Sequence, residues 1–182
     1  MKTDKFYVGI SGHRELGDNA VLNFVHGQIE ALLVDLKRNH ENIIALSALA
    51  KGADTVFAEI ALKLCYKLEV IIPFSDYEED FDTHESLECY QMLSEKASKI
   101  HQLRYKNRSN EAYLAGGYWI VDNCELLVAV WNGKPAVGKG GTGDVVKYAR
   151  RKKRFLWHIN TATLNVMEVN YGHGGKRTKS QK

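Results

Sequence analysis

The apolar positions of this chain alternate between two rhythms. Phe6–Gly12 is a short, β-rich apolar run ending in glycine, after which Val21, Leu22, Val25, Ile29, Leu32, Leu33 and Leu36 recur at helical spacing. Ile43–Ser47 reads as a second strand, and Val56, Phe57, Ile60, Ala61 and Leu64 mark one face of a second helix. Residues 68–73, LEVIIP, form a third strand that stops at a proline. An acidic, aromatic segment, 75–82, precedes a helical pattern over about 83–99 and a short strand at 100–105. Asn110–Asn123 reads as a helix despite Gly116 and Gly117, because it leads directly into Leu126–Trp131. That run, LLVAVW, has no polar member, as expected of a strand buried on both faces. A loop over 132–143, a helix to about 152 and a strand at 155–159 complete the pattern. Beyond about 161 the periodicity fades into either an edge strand or an ordered arm.

Strands that alternate with helices, and are continuously apolar, predict an α/β fold: a Rossmann-like open parallel sheet of at least five strands with helices on both faces. The 182 residues, 45% of them hydrophobic, suit one core, with a domain over 1–160 and a C-terminal arm and basic tail over 161–182, the tail expected to be disordered. Lys176, Arg177, Lys179 and Lys182 stand in that tail. Removing these four cations from the net +3 leaves −1, so the folded part is close to neutral. This balance speaks against nucleic acid as a partner, since phosphate backbones need clustered cations. The N-terminus lacks a signal-peptide pattern and no run suits a membrane span, so the expectation is a cytoplasmic protein with no membrane partner. A homo-oligomer is compatible with the sequence. Cys65, Cys89 and Cys124 are odd in number and far apart, which predicts reduced thiols packed as small core residues, with neither a bridge nor a metal.

In an open parallel sheet, ligands bind beyond the carboxyl ends of the strands, where strand order reverses. Four loops qualify. Ser11, Gly12, His13 and Arg14 follow the first strand, Ser47 and AKGAD the second, Phe74, Ser75 and Asp76 the third, and NGKPAVGKGGTGD the LLVAVW strand. In the last loop Gly140, Gly141, Thr142, Gly143 and Asp144 open a helix. Its glycines admit a ligand close to the backbone, and free amides at a helix N-terminus carry roughly half a positive charge that favours phosphate. Gly141 is the expected point of closest approach, with a positive φ as a further expectation there. Thr142 either donates to a phosphate or caps the helix; Asp144 suits the first turn but repels a phosphate unless it meets a ribose or a metal. Arg14 either grips phosphate or pairs with Glu15 or Asp18, and His13 either donates to a ligand or is merely exposed. Gly52 permits a tight turn, while Ser47 and Asp54 either contact the ligand or cap the next helix, capping being the simpler role for Asp54. Tyr77 and Phe81 either cover a base or anchor their loop. The acids Glu78, Glu79, Asp80 and Asp82 read as a solvated loop, and Tyr113 as a packing group. No cofactor is called for.

As an ordered set, GISGHR (9–14), SALAKGAD (47–54), IIPF (71–74), AYLAGGYWIVDNCELLVAVWNG (112–133) and GKGGTGDVVKYAR (138–150) resemble the SLOG superfamily over about residues 6–159. That superfamily includes DprA DNA-processing proteins, LOG phosphoribohydrolases and nucleotide-sensing domains. The resemblance implies a glycine-rich loop that holds the phosphate of a nucleotide-derived small molecule, of the ADP-ribose type in some relatives. In LOG enzymes that loop reads PGGxGTxxE, and its glutamate works with an arginine on the preceding helix. Laying its glycines on Gly140, Gly141 and Gly143 puts Asp144 at the threonine and Lys147 at the glutamate, and residues 109–138 contain no arginine. The leading expectation is therefore a nucleotide-binding or sensor domain. The alternative is a nucleotide N-glycosidase with Asp144 or Asp54 in place of the glutamate. The third is a DprA-like binder of single-stranded nucleic acid.

Overall fold

The computed structural model describes residues 4–135 and 140–170. Seven strands form one sheet: β1 (Phe6–Gly12), β2 (Ile43–Ser47), β3 (Lys67–Phe74), β4 (Lys99–Tyr105), β5 (Leu126–Trp131), β6 (Phe155–Asn160) and β7 (Asn165–Val169). Their spatial order is β4-β3-β2-β1-β5-β6-β7. The first six are parallel, and β7 returns antiparallel along β6, so the fading pattern after residue 161 resolves as an edge strand. β5 pairs with β1 from Val8↔Leu126 to Gly12↔Val130. The chain thus grows outward from β1 in one direction through β4, then crosses back to β5. Order reverses between β1 and β5.

The helices are α1 (Asn19–Asn39), α2 (Ala53–Lys63), α3 (His84–Glu95), α4 (Asn110–Asn123) and α5 (Thr142–Arg151), with a single 3-10 turn at Tyr77–Asp80. Every residue of β2 and of β5 is buried, and successive side chains feed opposite cores as the pleat requires. Val8, Ile10, Ala45, Val128 and Val130 pack with Val25, Ile29 and Leu33 of α1 and Phe57 and Ile60 of α2. Ile44, Leu46, Leu127 and Ala129 pack with Ile120 and Val121 of α4 and Val145, Val146 and Ala149 of α5. The α/β expectation, with helices on both faces of the sheet, holds. No helix among the described residues is long and apolar enough to cross a membrane.

Local signals fix the helix starts. Asp18 accepts hydrogen bonds from the amides of Ala20 and Val21, Thr83 and Ser86 form a reciprocal capping box, and Ser109 accepts from Ala112. Of the two glycines inside α4, Gly117 has a packing reason. A Cβ on Gly117 would lie 2.5 Å from Val145 Cγ2, so its absence lets α4 and α5 close on one another. The three cysteines are free, but only Cys124 is buried; Cys65 is exposed in a left-handed turn (φ 62°) just past α2, so the core-residue reading fails for it.

Candidate functional site

At the carboxyl ends of β1 and β5, where strand order reverses, the loops enclose a cleft of about 630 Å³. Gly12, His13, Arg14, Asp54, Gly140, Gly141, Thr142 and Gly143 all line it. Residues more than a hundred positions apart in the chain are therefore brought to one cavity. Ser47, Gly52 and Asp144 stand behind its walls, each with a holding role. Ser47 is fully buried; its hydroxyl donates to the Asp54 carbonyl and accepts the amide of Leu49, a residue held at φ 56°. Gly52 lies at φ 91°, and a Cβ there would sit 2.3 Å from the Arg14 carbonyl oxygen and 2.6 Å from that of His13. Only glycine allows the second loop to press so closely on the first. Asp144 turns its carboxylate to the Gly140 amide at 3.1 Å and so closes the glycine loop on itself.

The loop after β1 is tied from several directions. The His13 amide donates to the Val130 carbonyl, and the His13 carbonyl accepts from Ala53. His13 Nε2 accepts the Asn132 amide at 3.2 Å, and burial lowers the His13 pKa, so the ring is neutral at pH 7 and bridges the two loops. Arg14 does not pair with Glu15 or Asp18. Its guanidinium donates to Asp80, whose side chain is only 2% exposed, and it stands over the Tyr113 ring at 5.1 Å. Burial works against the Arg14 cation, but the hydrogen bond and charge of Asp80 outweigh it and raise its pKa. The Tyr113 hydroxyl also donates to Asp80, and Arg108 Nε forms an ion pair with it at 3.3 Å.

Asp80, Arg108 and Tyr113 are therefore parts of the site that the sequence reading passed over. The acid cluster is not uniformly solvated, because Asp80 alone turns inward. Arg108 lies immediately ahead of the Ser109 cap of α4, one residue before the arginine-free stretch 109–138. The signal that could have found it was the cap itself, which places the preceding side chain at the mouth of the cleft. Tyr77 is both lining and anchor, 1% exposed and edge-on to Phe74, Phe81 and Tyr90.

Neither predicted cap caps. Gly52 and Gly141 hold the N-cap positions of α2 and α5, which frees Asp54 and Thr142 toward the cleft. Burial pushes the Asp54 carboxyl up to about 7, against the pull of the Ala50 and Ala48 backbone groups and the Arg14 charge. The left-handed residue of the glycine loop is Gly140 (φ 97°), whereas Gly141 has an ordinary φ of −81°. A Cβ on Gly140 would meet the Asn110 carbonyl at 2.8 Å, so this glycine lets the loop rest on the start of α4. Lys147, aligned with the LOG glutamate, does not line the cleft. Gly138 and Lys139 lie outside the described residues.

These features define a Rossmann-like α/β fold, of the kind found in DNA processing protein A. Among solved structures the chain is similar to DNA processing protein A from Streptococcus pneumoniae, with 18% identity and a TM-score of 0.59 over 84% of this chain and 50% of that one. It is also similar to DNA processing protein A from Helicobacter pylori, determined for its single-stranded DNA binding mode, with 16% identity and a TM-score of 0.57 over 84% and 64%. A third likeness is to the protein TM1055, with 9% identity and a TM-score of 0.52 over 83% of this chain and 72% of that one. The chain thus spans half to two thirds of the DprA structures it resembles. No family model and no curated protein matches the sequence. The DprA likeness corrects the expectation that nucleic acid is no partner, since a protein of this fold binds single-stranded DNA. Net charge averages over the whole domain, whereas recognition depends on local placement, and here Arg14, Arg108 and Lys134 face one cleft.

Proposed function

We propose that the cleft binds a nucleotide or nucleotide-derived ligand through its phosphate, free or as one unit of a single strand. The convergence of Arg14, Arg108 and the glycine-rich start of α5 on one cavity carries this reading. Guanidinium groups offer planar, paired donors to phosphate oxygens, and the amides at a helix N-terminus supply donors without a competing side chain. About 630 Å³ lies within the usual range for small-molecule sites. Calorimetry with adenosine monophosphate and ADP-ribose tests it. Gly141→Val is expected to abolish binding, because a branched side chain fills the space where a phosphate meets the backbone; Arg14→Ala should cost a charge-assisted contact, about 1.5 to 3 kcal/mol or roughly ten- to hundredfold in affinity. If folded Gly141→Val binds as wild type, the loop is only a turn.

Asp54 favours a second reading, in which the bound nucleotide loses its base. Asp144 is committed to the glycine loop, but Asp54 lines the cleft with a carboxyl near 7, suited to protonating a leaving base while water attacks the ribose carbon. Release of free base from a nucleoside monophosphate, lost in Asp54→Asn with binding retained, is the expected result. Absence of free base from wild type removes the hydrolytic reading and leaves the binding one.

A further inference from the structure

A second cavity, of about 310 Å³, lies between α1 and the edge hairpin β6–β7 and shares no residue with the cleft. Its size is at the lower end of the range for small-molecule sites. The element order fixes how its walls are oriented. α1 joins the carboxyl end of β1 to the amino end of the parallel strand β2, and β7 runs the same way as α1 because it is antiparallel to β6. Residues late in α1 and late in β7 therefore stand at one end of the groove, and early ones at the other. Asp35 and Glu168 share the first end, Glu168 lying in register with Trp157 near the start of β6. Phe24 and Leu164 stand toward the other end, with Leu32 and Trp157 between. From Phe24 to Asp35 the α1 wall extends over about 16 Å of helix rise.

The groove thus has an acidic end and an apolar length. No cation lines it, and among the described residues neither the Asp35 nor the Glu168 carboxylate has an ion-pair or hydrogen-bond partner. Two surface carboxylates alone are commonly only solvated. Here they close a trough floored by Leu32, which is 6% exposed, and by Trp157. At the opposite end Leu164 stays 44% exposed at φ 49°, a left-handed backbone unusual for leucine, in a turn fixed by the Asn160 side chain, which accepts the amides of Ala162 and Thr163. We propose that this groove binds a small amphiphilic amine: one primary ammonium group between Asp35 and Glu168, and an unbranched apolar body over Leu32 and Trp157 toward Phe24 and Leu164. A phosphate or carboxylate head would meet like charge at one end and no cation along either wall. A diamine would leave its second ammonium beside Phe24 and Leu164 with no acid to meet it, which favours a single head. The site is independent of the nucleotide reading of the cleft.

Calorimetry of the whole chain with n-butyl-, n-hexyl- and n-octylamine tests the proposal. Affinity is expected to rise roughly two- to fourfold per methylene as the apolar body leaves water, and hexanoate should not bind. In NMR titrations the indole N–H of Trp157 should shift while those of Trp119 and Trp131 stay in place. Asp35→Asn combined with Glu168→Gln should weaken every amine by about tenfold and keep the dependence on chain length. Ala31→Phe, at an exposed position of the α1 wall, should do the reverse and flatten that dependence by filling the trough, with circular dichroism as the folding control. Affinity that does not grow with chain length, or a double variant that binds every amine as wild type does, overturns the proposal. Nα-acetyl-lysine methylamide carries the same head on a four-carbon stem and should bind no tighter than butylamine. Tighter binding would assign the groove to a lysine of a peptide and overturn the small-amine reading.

Discussion

The two loops that face each other across the cleft are built in opposite ways. The loop after β1 is fixed by distant parts of the chain: Val130 holds the His13 amide, Ala53 the His13 carbonyl, Asn132 the His13 ring, and Asp80 the Arg14 guanidinium. The described part of the loop after β5 is fixed mostly by its own neighbours. Asp144 accepts from Gly140, Lys134 donates its amide to the Asn132 side chain, and the Trp131 indole donates to the Lys134 carbonyl. One wall is a product of the tertiary fold and the other of its local sequence. Damage far from the first wall should therefore reach it, while the second should respond only to changes within itself.

Gly52→Val gives the largest expected effect on this contrast. The residue touches no part of the cavity, but a side chain at φ 91° with two carbonyl oxygens inside 3 Å must push Arg14 and His13 aside. The left-handed backbone alone costs about 1 to 2 kcal/mol for a residue with a Cβ, before any clash. Thermal denaturation should show the loss of stability, and nucleotide titration should show affinity reduced beyond that of Arg14→Ala. A Gly52→Val protein that binds normally would show that the first wall is not held from behind.

Asp54 sharpens the comparison through pH. Its carboxyl rises from 3.8 to about 7 on folding, so between these values the folded chain holds a proton that the unfolded chain has released. Stability from this group is therefore full below about 4 and is lost as pH rises toward 7, by up to about 1.4 kcal/mol per pH unit. Asp54→Asn should lack this slope. Urea denaturation of both proteins between pH 4 and 8 measures the difference, and parallel curves would show that Asp54 is ionised in the fold.

Asp144→Ala gives the smallest effect. It removes one hydrogen bond from a local turn, worth about 1 kcal/mol, and takes a negative charge from beside the α5 start. Stability should fall slightly while phosphate affinity holds or rises, as calorimetry would record. A large loss of binding would mean that the second wall also depends on a single distant-acting contact.

The same contrast explains what could be read from sequence. LLVAVW is continuously apolar because β5 is buried on both faces, and its limits, like those of α4, agree residue for residue with the pattern. The strand-end position of Gly12, His13 and Arg14 followed from the same rhythm. The partner of Arg14 did not, because Asp80 lies 66 residues away among acids of similar appearance, and only the turn at Tyr77–Asp80 decides which one points inward. Gly52 read as a turn residue when its reason is the approach of another loop, and Gly140, not Gly141, needs the left-handed backbone because of Asn110. Periodicity reports burial, whereas side-chain pairing across loops leaves no periodic trace.

The buried carboxylate of Asp80 also bears on discrimination among anions. Arg14 and Tyr113 donate to it and Arg108 pairs with it at 3.3 Å, so the arginines of the cleft wall already face an anion that the chain itself supplies from a neighbouring pocket. Chloride or inorganic phosphate offers these donors little that Asp80 does not, and each must compete with a group tethered in place. A ligand whose sugar and base add contacts elsewhere in the cleft has a source of affinity the small ions lack. On the proposed reading of the cleft, Asp80 would thus set a threshold that the abundant small anions of any aqueous solution must cross to reach the guanidinium wall.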